Sequence, residues 1–215
     1  MIRNLIFDFD GTLADTTEGI VITTQETLRL MGLPVVSAER FRPVIGLSLR
    51  DCFKYGTETP EERLDEATEV YRRIFDGLAV PRTTLYEGVP ETLEALRGRG
   101  MRLGIATSRS EPSLVMLLEE HGLRQYFEIL GTVGCVSNSK PAPDLVLWVL
   151  ERFGASPQES VVIGDTIYDV QMGKAAGCST VAVPYGNHTE ELLRSSSPDR
   201  IIHDLRELPP LLETF

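Results

Sequence analysis

Two patterns of apolar and polar positions divide the chain. From Ile2 to Phe9 a β-branched and aromatic run stops abruptly at Asp10-Gly11, which predicts a buried strand ended by a glycine turn. From Thr16 to Met31 the recurring positions are Ile20, Thr24, Thr27, Leu28 and Met31, three or four apart, and Gly32 with Pro34 closes the helix they predict. Shorter helical pieces are expected over 37–43 and 48–55. Thr59-Pro60-Glu61-Glu62 reads as an N-cap with proline in the first turn. The helix it opens carries Leu64, Ala67, Val70, Tyr71, Ile74, Phe75 and Leu78 at helical spacing. Residues 16–80 therefore read as helix after helix, without a strand.

Beyond Pro81 the pattern changes. Strands are predicted over 102–106, 127–130, 160–163 and 179–183, and helices over 89–96, 111–121, 143–153 and 169–176. Short apolar strands alternating with helices belong to a parallel sheet covered on both faces. Right-handed crossovers then gather the carboxyl ends of the strands along one edge. The expected fold class is α/β, a parallel-sheet core of residues 1–15 and 81–215 with a helical insertion over 16–80.

Composition narrows the function. The 215 residues are 42% apolar and 25% charged, enough for a real core. Lys plus Arg is 21 against 32 Asp plus Glu, a net charge of -11, so nucleic acid and anionic membrane are not expected partners. An anionic small molecule remains possible, because a pocket carries its own local cations. Cys52, Cys135 and Cys178 are scattered with no CxxC, which fits a reducing compartment and no cysteine-rich zinc site. His121, His188 and His203 are not spaced as metal ligands. MIRNLIFDFD is too short an apolar run for a signal peptide, and no run reaches the ~18 apolar residues of a membrane span. A soluble, cytoplasmic protein is expected.

In open parallel sheets ligands bind beyond the carboxyl ends of the strands. The residues there are Asp8, Asp10, Gly11 and Thr12, then Thr107 and Ser108, then Gly164, Asp165 and Asp169. Asp8 and Asp10 stand two apart, on one face of a strand, so both carboxylates can approach one point. Anions that close need a proton or a cation between them. With Asp165 and Asp169 they make a hard oxygen site suited to Mg²⁺. Each acid alone would serve equally well as a helix cap or turn residue. Lys140 is one of only three lysines, against eighteen arginines, and lies next to Pro141 and Pro143, which restrain its backbone. Its ammonium could hold a phosphoryl oxygen and offset the acids. Thr107, followed by N–H groups leading into a helix, is either a phosphate cradle or an N-cap.

Four segments carry a resemblance: Asp8-Phe9-Asp10-Gly11-Thr12-Leu13, Ile105-Ala106-Thr107-Ser108, Lys140-Pro141-Ala142-Pro143-Asp144 and Val162-Ile163-Gly164-Asp165-Thr166-Ile167-Tyr168-Asp169. In their order and intervals they resemble the motifs of the haloacid dehalogenase-like (HAD) hydrolase superfamily. The chain is most similar to the helical-cap phosphatases of the phosphoglycolate phosphatase and β-phosphoglucomutase group. The resemblance implies a Rossmann-like HAD core with an α-helical cap, and a Mg²⁺-dependent phosphatase acting on a small phosphorylated metabolite, phosphoglycolate-like or a sugar phosphate. It implies Asp8 as nucleophile and Asp10 as general acid and base. Thr107, Ser108 and Lys140 would hold the phosphoryl group. Asp8, Asp165, Asp169 and the Asp10 backbone carbonyl would hold the metal. Serine at 108 and arginine at 109 depart from the asparagine and lysine frequent in relatives, so altered substrate contacts are expected.

Asp10 argues against a dehalogenase, whose leaving halide needs no proton. A phosphosugar mutase shares all four motifs and stays open. A catalytically silent phosphate-binding protein or a phospho-acceptor signalling domain is the alternative of another class, although a receiver-type domain would be about half this length. Substrate choice is expected in the cap, at Arg42, Gly46, Ser48 and Arg50. Arg42 and Arg50 are either readers of a second anionic group or partners in cap-surface salt bridges. Hinges are expected over 14–17 and 80–84, and the assembly is expected to be a monomer or homodimer.

Overall fold

In a computed structural model describing residues 2–215, the first strand is the hub of the molecule. β1 (Asn4–Phe7) is buried at every position. It leads through a tight turn to β2 (Ala14–Asp15) and then into helices α1 (Thr17–Leu30), α2 (Ala38–Phe41), α3 (Leu49–Gly56) and α4 (Leu64–Leu78). The chain returns by β3 (Thr84–Leu85) and then alternates: α5 (Val89–Gly98), β4 (Arg102–Ala106), α6 (Glu111–Glu120), β5 (Ile129–Gly131), α7 (Asp144–Phe153), β6 (Ser160–Gly164), α8 (Ile167–Ala175) and β7 (Ser179–Ala182). It closes with α9 (Glu190–Ser195), β8 (Arg200–Ile201) and α10 (Leu208–Leu211).

The six-stranded sheet has the order β5-β4-β1-β6-β7-β8, and every pairing in it is parallel. The chain builds outward from β1 on one side, then crosses to the other side at β6. That reversal opens a crevice at the carboxyl ends of β1 and β6. Alternation along β1 joins both faces: Leu5 and Phe7 belong to one core cluster, Ile6 to another. A further cluster draws only on residues between Val21 and Ala79, including Leu28, Phe53, Leu64, Tyr71 and Phe75. The helical segment thus has an apolar interior of its own, packed chiefly between α1, α3 and α4.

The sheet agrees with the α/β expectation, and the differences are local. β1 is shorter than the apolar run because Phe9, though buried, has already turned: its carbonyl accepts hydrogen bonds from the N–H groups of Leu13 at 3.0 Å and Ala14 at 3.2 Å. The helix expected from Thr59-Pro60 starts at Leu64, after a 3₁₀ turn over Glu61–Arg63. The antiparallel pair β2–β3, the edge strand β8 and the short helix α9 were not expected. β2, β3 and β8 have two residues each, too few for any periodicity, and exist because distant chain lies beside them.

Candidate active site

The crevice at β1 and β6 is where the acids meet. Asp8 follows β1 directly, and its N–H still donates to Ile163 O at 2.9 Å, which fixes the residue at the sheet edge. Asp165 follows β6. Asp169 is the third residue of α8, where its Oδ2 accepts from Thr166 N at 3.0 Å and Thr166 Oγ1 at 2.6 Å. Its other oxygen is free to face the crevice, so Asp169 caps its helix and serves the site at once. One oxygen from each of Asp8, Asp165 and Asp169 lies within 4.8 Å of the others, and all three residues are buried.

Lys140 stands among them. Its Nζ is 2.6 Å from Asp169 Oδ1 and 2.8 Å from Asp8 Oδ1, with no part of the side chain exposed. Burial alone would lower its pKa, but Asp169 and Asp8 more than reverse this, and Lys140 stays an ammonium. Asp8 is pushed up to about 7, by burial first and then by Asp169 and Asp10, against the pull of Lys140. Asp165 is raised by burial and by Asp169 and Asp8, opposed by the amide hydrogen bonds of Asn187. Those bonds are Asn187 N to Asp165 Oδ2 at 2.7 Å and Nδ2 to the same oxygen at 2.9 Å. Thr12 Oγ1 donates to Asp165 Oδ1 at 3.2 Å.

This cluster fits a divalent cation. Three buried carboxylates face one buried ammonium. Neither oxygen of Asp8 has a well-aligned hydrogen-bond partner among the described residues, although the Lys140 charge is close. A buried carboxylate left so is costly unless a cation meets it. The donors are all oxygen, the set that hard ions such as Mg²⁺ take. Close approach here depends on glycine. Gly11 has φ +78°, and a Cβ there would sit 2.0 Å from Asp165 Oδ2.

Asp10 turns the other way. Its carboxylate is clamped by Arg109, with Nη2 2.6 Å from Oδ1 and Nε 2.8 Å from Oδ2, and Thr16 Oγ1 donates to Oδ1 at 2.6 Å. The guanidinium lies over the Phe75 ring at 4.8 Å and donates to Ser113 Oγ at 2.8 Å. Burial would lower the Arg109 pKa, but Asp10 raises it further still. A cavity of about 660 Å³ opens between this pair and the helical segment, with Asp8, Thr107 and Ser108 on its floor. Asp8 is therefore shared by the buried acid cluster and the cavity.

The segment over 42–48 hangs above these strand ends, tied to the core through its own carbonyls. Ser108 Oγ donates to Gly46 O at 2.7 Å, and Tyr168 Oη donates to Pro43 O at 3.0 Å. His188 accepts from Ile167 N at Nδ1, 3.1 Å, so its Nε2 carries the hydrogen donated to Pro43 O at 3.1 Å. Burial lowers the His188 pKa, in keeping with a neutral ring.

The residues singled out in the sequence thus separate. Asp8, Lys140, Asp165 and Asp169 converge. Thr107, buried at the end of β4, and Ser108 lie beside them at the cavity floor. The Asp10 side chain points to Arg109, outside the acid cluster. Of the cap residues, Gly46, Ser48 and Arg50 line the cavity, but Ser48 caps α3, accepting from Asp51 N at 3.2 Å. Arg50 is paired with Asp65 and Glu61, each at 3.1 Å, and Arg42 reaches Gly186 O at 3.4 Å on the seam with the core. Asn187 went unnoticed in the sequence, yet applying the strand-end rule to β7 as well leads to Tyr185-Gly186-Asn187. Thr16 carried no signal, since its partner Asp10 is met only through the turn.

A profile of the haloacid dehalogenase-like hydrolases matches residues 5–183. The phosphoglycolate phosphatase of Escherichia coli (strain K12) is 33% identical over 233 residues, covering 98% of this chain and 92% of its own. The pyrophosphatase PpaX of Bacillus pumilus (strain SAFR-032) is 34% identical over 207 residues, covering 96% and 94%. Among solved structures, a hydrolase from Pseudomonas syringae superposes with a TM-score of 0.89 at 25% identity, covering 100% of this chain and 99% of its own.

Two outcomes follow from the geometry. A folded pKa raised above the unfolded value means stability present at low pH and lost as pH rises toward the folded value. In metal-free protein, Asp8→Asn should therefore be more stable than wild type at pH 8, by on the order of 3 kcal/mol, with the gap more than halved at pH 5. Thermal melts in EDTA at both pH values test this; a gap that grows toward pH 5 would contradict the sign. Arg109→Ala, which strands Asp10, should cost about 3 kcal/mol in urea unfolding, and Arg109→Lys should recover part of it.

Proposed function

We propose that this chain, which belongs to the haloacid dehalogenase-like hydrolases, hydrolyses a small phosphomonoester through a covalent phosphate on Asp8. It is a phosphatase of that family; the route and the ion are what is proposed. The observation that carries the reading is Asp8 itself: buried, with Lys140 as its one charged partner, at the one point where the acid cluster meets the cavity.

The carboxylate of Asp8 attacks phosphorus, and the bond to the ester oxygen breaks with its electron pair leaving on that oxygen. Asp10 delivers a proton to the leaving oxygen. Water then attacks the phosphorus of the aspartyl phosphate and gives a proton to Asp10. The bond to Asp8 breaks, and phosphate leaves. Both Asp10 oxygens are occupied by donors from Arg109 and Thr16, so one of these must yield for each proton transfer. Lys140 and Thr107 hold the phosphoryl oxygens, and Ser108 lies at the same floor. Asp8, Asp165 and Asp169 would hold a divalent cation, Mg²⁺ by the hardness of their oxygen donors, which would supply charge neutralisation between nucleophile and phosphate.

Residues 16–80 act in this reading as a cap over the core formed by 1–15 and 81–215. Its two connections, β2 and β3, are paired through Ala14 with Leu85 and Asp15 with Thr84, so they bend as one ribbon. Closure excludes water from the first transfer, and opening releases product.

With p-nitrophenyl phosphate, Asp8→Asn should lose at least about 10⁴-fold in kcat while keeping its fold by circular dichroism. EDTA should silence the wild type and Mg²⁺ restore it. Wild-type turnover by Asp8→Asn would remove Asp8 as nucleophile, and full activity in EDTA would remove the metal.

A further inference from the structure

We propose that the leaving group taken by this site is uncharged and presents an apolar face the size of a ring. The inference rests on the phosphomonoester reading and narrows it.

Size comes first. A volume of about 660 Å³ lies well inside the roughly 300–1,000 Å³ of pockets that take drug-sized molecules. A phosphoryl group with a two-carbon tail would leave most of it empty. The walls come second. Away from the Asp8 floor the apolar part of the wall is Ile20, Leu47, Leu49, Tyr71, Phe75 and Met116, contributed by α1, the 42–48 segment, α3, α4 and α6, with the hydroxyls of Ser48, Ser110 and Ser113 beside it. The apolar part gains by covering apolar carbon and offers nothing to a carboxylate.

The charges decide the matter. A second anionic group on the substrate would need a free cation inside the cavity. Arg109 is buried there, but Asp10 engages it at two points and Phe75 covers its face. Arg50 is on the wall as well, but half-exposed and paired with Asp65 and Glu61. Arg72 stands exposed at the rim, with Asp76 one helical turn along on the same wall. Among the described residues, the one buried arginine on the cavity wall is therefore already held by Asp10, while Arg50 and Arg72 lie toward solvent. Bringing a carboxylate or second phosphate into the cavity would strand a charge among apolar side chains. Phosphoglycolate and pyrophosphate, from which two relatives take their names, both have leaving groups of that kind. The cavity of this chain presents a largely apolar wall to what departs.

Benzyl phosphate and phosphoglycolate release alcohols of similar acidity, so comparing them isolates recognition from leaving-group chemistry. With Mg²⁺, kcat/KM for benzyl phosphate should exceed that for phosphoglycolate and for pyrophosphate by at least about tenfold. By calorimetry, benzylphosphonate should bind at least about tenfold more tightly than phosphonoacetate. Met116→Lys, at a half-buried wall position, should raise KM for benzyl phosphate and lower it for phosphoglycolate, while Met116→Leu keeps the preference for benzyl phosphate. Equal or reversed preference, or a Met116→Lys ratio unchanged from wild type, overturns the inference while leaving the phosphatase reading intact. If no ester is hydrolysed in Mg²⁺, p-nitrophenyl phosphate included, the phosphatase reading fails and this inference fails with it.

Discussion

One buried ammonium makes this architecture possible. Lys140 sits within ion-pair distance of both Asp8 and Asp169, wholly out of water. Without it, three carboxylates at the carboxyl edge of a sheet would repel one another and draw protons, and Asp8, already raised to about 7, would rise further. The lysine must be rigid to do this, and Pro141 and Pro143 restrict the backbone that carries it. The sheet does the rest: parallel register between β1 and β6 places Phe7 beside Ile163 and so Asp8 level with Gly164, and Asp165 leaves the same edge one residue later.

The site holds charge in two compartments. Asp8, Asp165, Asp169 and Lys140 form a buried cluster, open to the cavity only at Asp8 and suited to a cation. Asp10 and Arg109 form a second pair at the cavity wall, nearly balanced, which leaves the space above it apolar. This separation reconciles an acidic protein with an anionic substrate. Attraction for phosphate is local and lies at the floor, while the larger volume is free to select on shape and apolar surface. Hydrogen bonds from Ser108, Tyr168 and His188 to the carbonyls of Gly46 and Pro43 hold the upper wall over that floor. They use backbone acceptors, so the 42–48 segment can change side chains without losing its ties.

Legibility followed the range of each interaction. The strand before Asp8 was clear because a β-branched run ending in glycine is a local signal, and the same holds for β4, β6 and the apolar stripe of α4. The acids and Lys140 stood out because residues of one chemistry recurred at strand ends. Arg109 was visible only as a departure from a motif, since its partner Asp10 lies 99 positions away. Asn187 was hidden for the same reason, 22 residues beyond the acid it steadies. Arg50 read equally well as a substrate contact or a surface pair, and Asp65 and Glu61 settle its position.

The sequence by itself determined the alternation of helix and strand, the parallel α/β core and the set of oxygen donors at its edge, because periodicity, turn residues and chemical type act over a few neighbours. The tertiary structure alone decided which carboxylates share one point and which one turns away. It also decided that Arg109 is held by Asp10 and that much of the cavity wall above the floor is apolar. Those outcomes depend on distances between residues far apart in the chain, and charge and burial act through space rather than along the backbone.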